Sequence, residues 1–280
     1  MRLLVTGAAG MLGRDVVDVA RGAGHEVAGL SRAELDVVDA AAVERAVADL
    51  RPDAVVNCAA FTDVDGAEEH YDEALEVNGV GAGNVAAAAD SAGAVMVHVS
   101  TDYVFDGTKS APYAESDAPN PRSGYGRSKL EGELAVAAAN PRHAIVRSSW
   151  LFGVGGPNFV ATMLERGAER GEVSVVTDQV GCPTFTGHLA GALVALAERG
   201  ATGLLHVAGA GHCSWHDFAV EIFREAGVDC QVHPTDTAAT GRPAPRPGYS
   251  VLVSERPDAP RLPSWRDGLA EYLAAREVAA

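Results

Sequence analysis

Short apolar runs alternate with longer amphipathic stretches through the first half of the chain. The apolar runs are rich in valine, leucine and alanine, which predicts strands that are buried on both faces. These predicted strands are residues 3–6, 26–30, 54–57, 95–100 and 144–147. The amphipathic stretches predict helices near residues 12–23, 40–50, 72–92 and 125–139. Buried strands that alternate with helices are typical of an α/β fold, a doubly wound parallel sheet with right-handed crossovers.

The alternation becomes less regular after residue 150, where prolines at positions 157, 183, 234, 243, 245 and 247 interrupt shorter elements. This change predicts a smaller C-terminal lobe over residues 151–280, beside a sheet domain over residues 1–150. One or two strands of the lobe, such as 204–207, are expected to return to the main sheet.

The formal net charge of −16 argues against a nucleic-acid surface, which needs a basic stripe. No apolar run approaches the ~18 residues that span a bilayer. Gly7, Gly10 and Gly13 interrupt the apolar N-terminus, which argues against a signal peptide. We therefore expect a cytoplasmic protein with no nucleic-acid partner and no membrane partner.

Neither the cysteines nor the histidines follow a metal-binding pattern. The four cysteines show no C-x-x-C spacing, which predicts free thiols. His212 and His216 are four residues apart, but no H-E-x-x-H sequence surrounds them. The acidic stretch 63–73 resembles a calcium loop only loosely, because Gly66 falls at the wrong offset. The sequence therefore predicts no metal site.

Gly7, Gly10 and Gly13 come directly after the first predicted strand and open the first predicted helix. Their spacing is G-x-x-G-x-x-G, looser than the dinucleotide-binding G-x-G-x-x-G. Glycines at a strand-to-helix turn permit close backbone approach to a pyrophosphate, which then faces the helix N-terminus. With a second strand following at 26–30, the context predicts a Rossmann-type nucleotide site.

The end of the second strand bears on the choice of cofactor. A site that prefers NAD places an acid there to hold the ribose 2′-hydroxyl. This chain has Ser31 and Arg32 instead, with no acid before Glu34. A hydroxyl and a guanidinium suit a 2′-phosphate, so NADP(H) is the predicted cofactor, with NAD(H) open as a second one. The alternative is that Arg32 is a solvated loop residue.

Tyr125 and Lys129 are four residues apart at the start of a predicted helix and so share one face. An ammonium beside a phenol favours the phenolate, so we expect a lowered pKa for Tyr125 and a role as acid–base. Lys129 can also hold the ribose hydroxyls of the cofactor. Thr101, at the carboxyl end of the fourth strand, lies where ligands bind in such sheets and can hydrogen-bond a substrate carbonyl.

These residues resemble the extended short-chain dehydrogenase/reductase superfamily. Longer stretches resemble one family within it, dTDP-4-dehydrorhamnose reductase, from the first strand to about residue 270. The stretches are RPDAVVNCAAFTDVDGAE (51–68), VHVSTDYVFDG (97–107), SGYGRSKLEGE (123–133), VRSSWLFG (146–153), VVTDQVGCPT (175–184) and RPAPRPGYSVL (242–252). Thr101, Tyr125 and Lys129 match the catalytic trio of that family.

The resemblance implies further roles position by position. On the cofactor side it implies Met11 and Leu12 on the pyrophosphate, Asp36 and Val37 at the adenine, and Ala59, Ala60 and Thr62 along the nicotinamide half. On the substrate side it implies Asp102 and Trp150, with Arg242 as the candidate partner of the nucleotide diphosphate. Structural roles stay open for these three: a turn-forming carboxylate, a core aromatic residue and a solvated charge in a proline-rich loop.

Two departures from related patterns limit what the chain can do. Some family members dimerise around magnesium held by carboxylates, one of them on the helix after the P-T dipeptide. Here the stretch 185–188 reads FTGH and offers no acid, so a metal-bridged dimer is not expected. We expect a monomer or a homodimer. Sugar-nucleotide dehydratases carry T-D-E, whereas Tyr103 stands in the third position here, which favours carbonyl reduction over elimination.

The resemblance therefore implies an NADPH-dependent reduction of the C4 keto group of a dTDP-linked 4-keto-6-deoxyhexose. In this interpretation residues 1–150 bind NADP(H), and residues 151–280 bind the dTDP-sugar. One alternative is a reductase for a different deoxysugar, such as one destined for an antibiotic. Another, of a different class, is a non-catalytic NADP-binding regulatory subunit with the same fold.

Overall fold

Six parallel strands form the central sheet of the protein, whose computed structural model describes residues 1–279 and the side chains of residues 1–276. The strands are β1 Arg2–Thr6, β2 Glu26–Leu30, β3 Ala54–Asn57, β4 Val95–Thr101, β5 His143–Ser148, β6 Leu151–Phe152, β7 Glu172–Val176, β8 Val180–Gly181, β9 Thr184–Phe185, β10 Gly203–His206, β11 Cys213–Ser214 and β12 Gln231–Thr235. The helices are α1 Met11–Gly22, α2 Ala40–Leu50, α3 Gly66–Glu69, α4 Tyr71–Leu75, α5 Ala82–Ser91, α6 Gly124–Ala139, α7 Phe159–Arg170, α8 Thr186–Glu198, α9 Trp215–Ala226 and α10 Trp265–Ala279.

The strand order is β10-β5-β4-β3-β1-β2, which confirms the predicted doubly wound parallel sheet. Each strand predicted in the first half is present, with at most one further residue at either end. The predicted return of a lobe strand is also found, because β10 pairs with β5 in parallel. Since all six strands run in one direction, their carboxyl ends meet at one edge. The residues that follow Thr6, Leu30, Asn57 and Thr101 therefore lie side by side.

The single helix predicted over 72–92 is interrupted. Helix α4 continues into a π-helical turn, Glu76–Gly81, before α5 begins. The widened turn packs against α6, where a Cβ on Gly132 would lie 2.1 Å from the carbonyl oxygen of Asn78. Periodicity did not predict the π turn, because one extra residue in a turn barely changes the apolar pattern.

Helices cover both faces of the sheet. On one face α1 and α8 pack together, and Val16 and Leu193 are fully buried there. On the other face α2, α5 and α6 bury Val43, Val85 and Val136. Helix α8 comes from the second half of the chain, so the lobe and the sheet domain are interleaved.

The rest of the second half forms a separate core. Helices α7, α9 and α10 bury Phe152, Phe218 and Trp265 beside the short parallel pair of β7 and β12. This lobe follows Ser148, at the carboxyl end of β5, so it begins at the same edge of the sheet as the predicted site.

Candidate active site

Glycines shape the turn after β1. Gly7 has a φ of +67°, in the left-handed region, and a Cβ there would lie 2.7 Å from the backbone nitrogen of Ala59. A Cβ on Gly13 would lie 2.3 Å from the carbonyl oxygen of Gly7, so α1 packs directly against the turn. The N-cap of α1 is Gly10, which has no side chain with which to cap the helix. The first N–H groups of α1 can therefore bind an anion, and the cradle fits the expected pyrophosphate.

Buried polar side chains hold the loop after β3 beside this turn. The hydroxyl of Thr6 donates to Oδ1 of Asn57 at 2.6 Å, and the backbone N–H of Ala59 donates to the same oxygen at 3.2 Å. Nδ2 of Asn57 lies 3.1 Å from Nδ1 of the buried His98. The residues predicted to line the nicotinamide half, Ala59 to Thr62, follow directly. The only sequence signal for Asn57 was a polar residue that ends an apolar strand.

Two of the predicted cofactor residues have side chains in the core. Leu12 is 7% exposed and Val37 is 4% exposed, and they belong to the cores on opposite faces of the sheet. Any contact from Leu12 or Val37 to a nucleotide is therefore made by backbone atoms. Met11 is half-buried and packs beside Gly156, which places the lobe close to the start of α1. Asp36 is exposed, and its Oδ1 accepts a hydrogen bond from the backbone of Val38 at 3.1 Å.

Glu34, the first acid after β2, folds back onto the end of that strand. Oε2 of Glu34 accepts hydrogen bonds from the backbone N–H of Ser31 at 2.9 Å and from its hydroxyl at 2.7 Å. These bonds lower the pKa of Glu34. The loop turns back on itself, which linear spacing does not reveal, so the Ser31 hydroxyl is already bonded to a carboxylate. Arg32 is exposed beside this pair.

Thr101, Tyr125 and Lys129 meet above the carboxyl end of β4. Helix α6 begins after Ser123, whose hydroxyl accepts the backbone N–H of Gly126 at 3.0 Å and so fixes the turn that carries Tyr125. The Tyr125 phenol lies close to the Thr101 hydroxyl, which acts to lower the pKa of the phenol. The Tyr125 ring also contacts Tyr103 edge to face, with 5.5 Å between centroids. The predicted catalytic trio is therefore brought together.

The ionisation of this trio differs from the sequence expectation. Burial raises the pKa of Tyr125 to about 12, although the hydroxyl of Thr101 acts in the opposite direction. Burial also lowers the pKa of Lys129 to about 8, against Glu133 and Cys58, which raise it. The Lys129 ammonium donates to the carbonyl oxygen of Val99 at 2.7 Å. The predicted lowering of the Tyr125 pKa is therefore wrong: desolvation and the nearby Asp102 carboxylate both raise it, and Tyr125 stays protonated at neutral pH.

Asp102 begins the short 3₁₀ helix after β4, Asp102–Val104, and is only 1% exposed. Its Oδ1 accepts the hydroxyl of Thr101 at 3.1 Å, and burial raises its pKa to about 6. Oδ2 is buried with no hydrogen-bond partner among the residues that the structure describes. The turn-forming role left open for Asp102 is filled by Thr101, whose hydroxyl accepts the backbone N–H of Tyr103 at 3.2 Å, and the Asp102 carboxyl is buried rather than at the surface.

The side-chain amide of Asn78, for which the sequence predicted no role, links the cofactor loop to α6. Asn78, in the π turn and 1% exposed, accepts the backbone N–H of Phe61 at 2.9 Å and donates to its carbonyl at 3.1 Å. Nδ2 of Asn78 also donates to Oγ of Ser128 at 2.9 Å, and that hydroxyl donates to the carbonyl of Tyr125 at 2.9 Å. A lone asparagine in an amphipathic stretch gave no signal of this role.

A buried ion pair fixes α6 to the sheet beneath Lys129. Arg147 on β5 bonds Glu133 with both ends of its guanidinium, at 2.8 and 2.6 Å. The hydroxyl of Ser100 donates to the same carboxylate at 2.5 Å. Glu133 lies within the SGYGRSKLEGE stretch, but its partner on another strand was not visible in the sequence. The pair stabilises the position of the catalytic helix relative to β4.

Trp150, which lies between β5 and β6, stacks on a tryptophan of the lobe. Trp150 has a φ of +49°, which is uncommon for a bulky residue, and it stacks on Trp215 with centroids 3.6 Å apart and planes 4° apart. A Cβ on Gly181 would lie 2.5 Å from the Trp150 ring, so only glycine admits this ring position. Strained backbone of this kind is concentrated at functional sites, in agreement with a substrate role for Trp150.

Arg242, the predicted diphosphate partner, has 59% of its side chain exposed and lies 3.3 Å from Asp65. Arg246 makes the stronger contact with the same carboxylate, through two bonds of 2.6 and 2.8 Å, and is only 8% exposed. These guanidiniums hold the pKa of Asp65 down at about 2. The sequence predicted a role for Arg242 alone, the first of two arginines in the same proline-rich stretch. Arg246, the buried one, lies between two prolines.

The described residues contain neither a membrane-spanning helix nor a metal-binding cluster. No helix within residues 1–279 is long and apolar enough to cross a membrane. Across the side chains of residues 1–276, no group of three or more histidine, cysteine, aspartate or glutamate residues is arranged to hold a metal ion.

The glycine turn, the parallel sheet and the Thr101–Tyr125–Lys129 trio define an extended short-chain dehydrogenase/reductase. The family model described as the RmlD substrate binding domain matches residues 1–278. The chain belongs to this family, that of dTDP-4-dehydrorhamnose reductase, as its motifs predicted.

Relatives of known name match over nearly the whole chain. The dTDP-4-dehydrorhamnose reductase of Mycolicibacterium smegmatis is 44% identical over 98% of this chain and 85% of its own. The dTDP-4-keto-6-deoxy-D-glucose reductase of Streptomyces niveus is 45% identical over 90% of this chain and 88% of its own. The crystal structure of dTDP-4-dehydrorhamnose reductase from Bacillus anthracis in complex with NADP is 38% identical. It covers 98% of this chain and 99% of its own, with a TM-score of 0.95.

Proposed function

We propose that the protein reduces the C4 keto group of a dTDP-linked 4-keto-6-deoxyhexose, with NADPH as the hydride source. The observation that carries this proposal is the meeting of Thr101, Tyr125 and Lys129 at the carboxyl end of β4, beside the glycine turn. The family relatives that reduce dTDP-linked keto sugars support the substrate class. The chain is an oxidoreductase acting on a nucleotide-sugar ketone.

The glycine turn and the start of α1 hold the pyrophosphate of the cofactor, which supplies a hydride when bound. Gly7 and Gly13 leave the space that a Cβ would fill, and the α1 N–H groups face the phosphates. The lysine ammonium has three donors, of which one is bonded to Val99. The remaining two can donate to the ribose hydroxyls of the cofactor. NADH is a second, weaker cofactor in this proposal, because Glu34 can accept the 2′-hydroxyl of NADH.

Tyr125 transfers the proton that completes the reduction. Its phenol donates to the C4 oxygen as negative charge develops there, and the Thr101 hydroxyl, which donates to Oδ1 of Asp102 in this structure, turns to donate a second hydrogen bond to the same oxygen. Because burial keeps the pKa of Tyr125 at about 12, the proton is present throughout the working range of pH. The position after Asp102 is Tyr103 instead of glutamate, so the second acid–base group that an elimination needs is missing from this motif.

The lobe over residues 151–280 binds the dTDP-sugar in this proposal. The nucleotide extends from the sheet edge past Trp150 towards the proline-rich stretch, where Arg242 is the exposed guanidinium that can reach a diphosphate. With a net charge of −16, the chain needs such local positive charge to bind an anion. The reaction takes place in the cytoplasm, and the chain acts as a monomer or a homodimer.

An absorbance assay separates this proposal from a regulatory subunit that only binds NADP. The protein is mixed with NADPH and dTDP-4-keto-6-deoxyhexoses of different configuration, with UDP-glucose as a control that carries no ketone. We expect NADPH consumption only with the keto sugars, and the preferred sugar identifies the pathway. NADPH binding without consumption on any of the sugars would contradict the proposal.

A further inference from the structure

The acidic stretch that resembled a calcium loop connects the lobe with the catalytic helix. Asp65 lies in the loop before α3, and its carboxylate accepts hydrogen bonds from Arg246 at 2.6 and 2.8 Å. The backbone N–H of Ala244 adds a third bond at 3.1 Å. One carboxylate therefore holds both the backbone and a side chain of the lobe loop 242–252.

The lobe loop is in turn packed against the residues that follow β4. A Cβ on Gly107 would lie 2.5 Å from Pro247, and the backbone N–H of Tyr249 donates to the carbonyl of Gly107 at 3.2 Å. The Arg246 guanidinium lies close to the Tyr103 phenol, whose ring contacts Tyr125 edge to face. The first connection therefore runs from Asp65 through Arg246 and Tyr103 to Tyr125.

A second connection runs from the same loop through α3. Glu68 accepts the backbone N–H of Gly124, the first residue of α6, at 2.5 Å. Gly124 also packs so closely that a Cβ there would lie 2.3 Å from the carbonyl oxygen of Ala67. A carboxylate at a helix N-terminus is favoured by the helix dipole. Helix α3 thus fixes the turn on which Tyr125 lies. It does so through Glu68, which is three residues along the chain from Asp65, the carboxylate that holds the lobe loop.

We propose that Asp65 and Arg246 are positioning residues that couple the lobe loop 242–252 to the orientation of Tyr125. The proposal rests on the proposed function, in that it gives Tyr125 a substrate delivered by the lobe. Loss of the Asp65 charge leaves the buried Arg246 guanidinium without its ion-pair partner, which releases the loop. Because both connections start at the 65–68 segment, the first turn of α6 loosens together with the loop.

Hydrogen exchange tests the coupling without reference to turnover. The NADPH-bound protein is compared with Asp65→Asn, Arg246→Lys and Asp258→Asn. Asp258 is the matched control, because it forms another two-bond pair with Arg256, at 3.0 and 2.7 Å, elsewhere in the second half. We expect Asp65→Asn to exchange about tenfold faster both in 244–252 and in 124–127, as for loss of one charge-assisted bond. The exchange rates of Arg246→Lys should lie between those of the unmutated protein and of Asp65→Asn, since lysine cannot form the two bonds of a bidentate pair.

Faster exchange in 244–252 alone would overturn the coupling, and so would unchanged exchange in both segments or an equal effect of Asp258→Asn. Steady-state kinetics add a second readout: kcat should fall about tenfold in Asp65→Asn, while the Kd for NADPH stays unchanged. An unchanged kcat in a variant with a lowered Tm would also overturn the proposal, because the pair would then be structural only. If the unmutated protein reduces none of the keto sugars but both segments loosen together, the proposed function fails and the coupling stands.

Discussion

The ammonium of Lys129 donates a hydrogen bond to the carbonyl oxygen of Val99 at 2.7 Å, in a position where 2% of the residue is exposed. This contact holds the ammonium against β4, and burial lowers its pKa from 10.5 to about 8. The charged form therefore predominates below about pH 8 and is lost above it. Because the ammonium holds the cofactor in our account, activity depends on this titration.

We expect kcat/KM for NADPH to fall as pH rises through about 8, since this parameter reports the pKa values of the free enzyme. Lys129→Arg should lower the rate but remove the descending limb, because arginine stays charged. The measurement is a pH profile of both proteins. A flat profile beyond pH 9 in the unmutated protein would exclude Lys129 as the titrating group.

The hydrogen bonds between Ser31 and Glu34 place a carboxylate where it affects the choice of cofactor. The Glu34 carboxylate repels a 2′-phosphate, whereas Arg32 attracts it, so the preference for NADPH is a balance of two neighbouring charges. Glu34→Gln should raise NADPH affinity, and Arg32→Ala should lower it about 10- to 100-fold, with smaller effects on NADH. Fluorescence titration of both nucleotides gives these constants. Equal responses of NADPH and NADH in both variants would mean that the 2′-phosphate lies elsewhere.

Asp102 should lower the stability of the protein at neutral pH. Its pKa rises from 3.8 to about 6 on folding, so the protonated form is favoured in the native state. The resulting stabilisation is complete below pH 3.8 and is lost as pH rises through about 6, which leaves a cost of roughly 3 kcal/mol above that. Asp102→Asn mimics the protonated form and should raise the free energy of unfolding at pH 8. Urea denaturation at several pH values tests this, and a gain that does not shrink towards acid pH would contradict it.

Arg242→Ala tests the position of the diphosphate. The side chain is 59% exposed and paired only loosely with Asp65, so its removal should not disturb the loop. We expect a raised KM for the dTDP-sugar with unchanged NADPH affinity. Titration of dTDP onto both NADPH-saturated proteins measures the contact directly. Equal affinity would make Arg242 a solvated loop residue and place the diphosphate nearer another cation.

The fold and the positions of Thr101, Tyr125 and Lys129 could be predicted because they depend on local order. Buried strands, glycines at a turn and the spacing of Tyr125 and Lys129 are all encoded in consecutive residues. The pKa direction of Tyr125 could not be predicted, because it depends on how completely the neighbouring elements exclude water. The four-residue spacing of Tyr125 and Lys129 alone predicted a lowered pKa for the tyrosine.

Contacts between distant parts of the chain could not be predicted from the sequence either. Asp65 and Arg246 are 181 residues apart, and nothing in either local stretch identifies the partner. Trp215 lies in an ordinary amphipathic helix, and only the folded lobe stacks it on Trp150. The turn that returns Glu34 to Ser31 spans three residues, yet it depends on backbone geometry that single-residue preferences do not specify.

The central claim is that Tyr125 donates the proton in the reduction of a dTDP-linked ketone. The most direct measurement is the single-turnover rate of NADPH oxidation for Tyr125→Phe on the preferred keto sugar. Tyr272→Phe, at a buried tyrosine in the lobe core, is the matched control. We predict a loss of about 10²-fold or more for Tyr125→Phe, with unchanged NADPH affinity and a near-normal rate for the control. A near-normal rate for Tyr125→Phe would contradict the account and move the proton donor to another group.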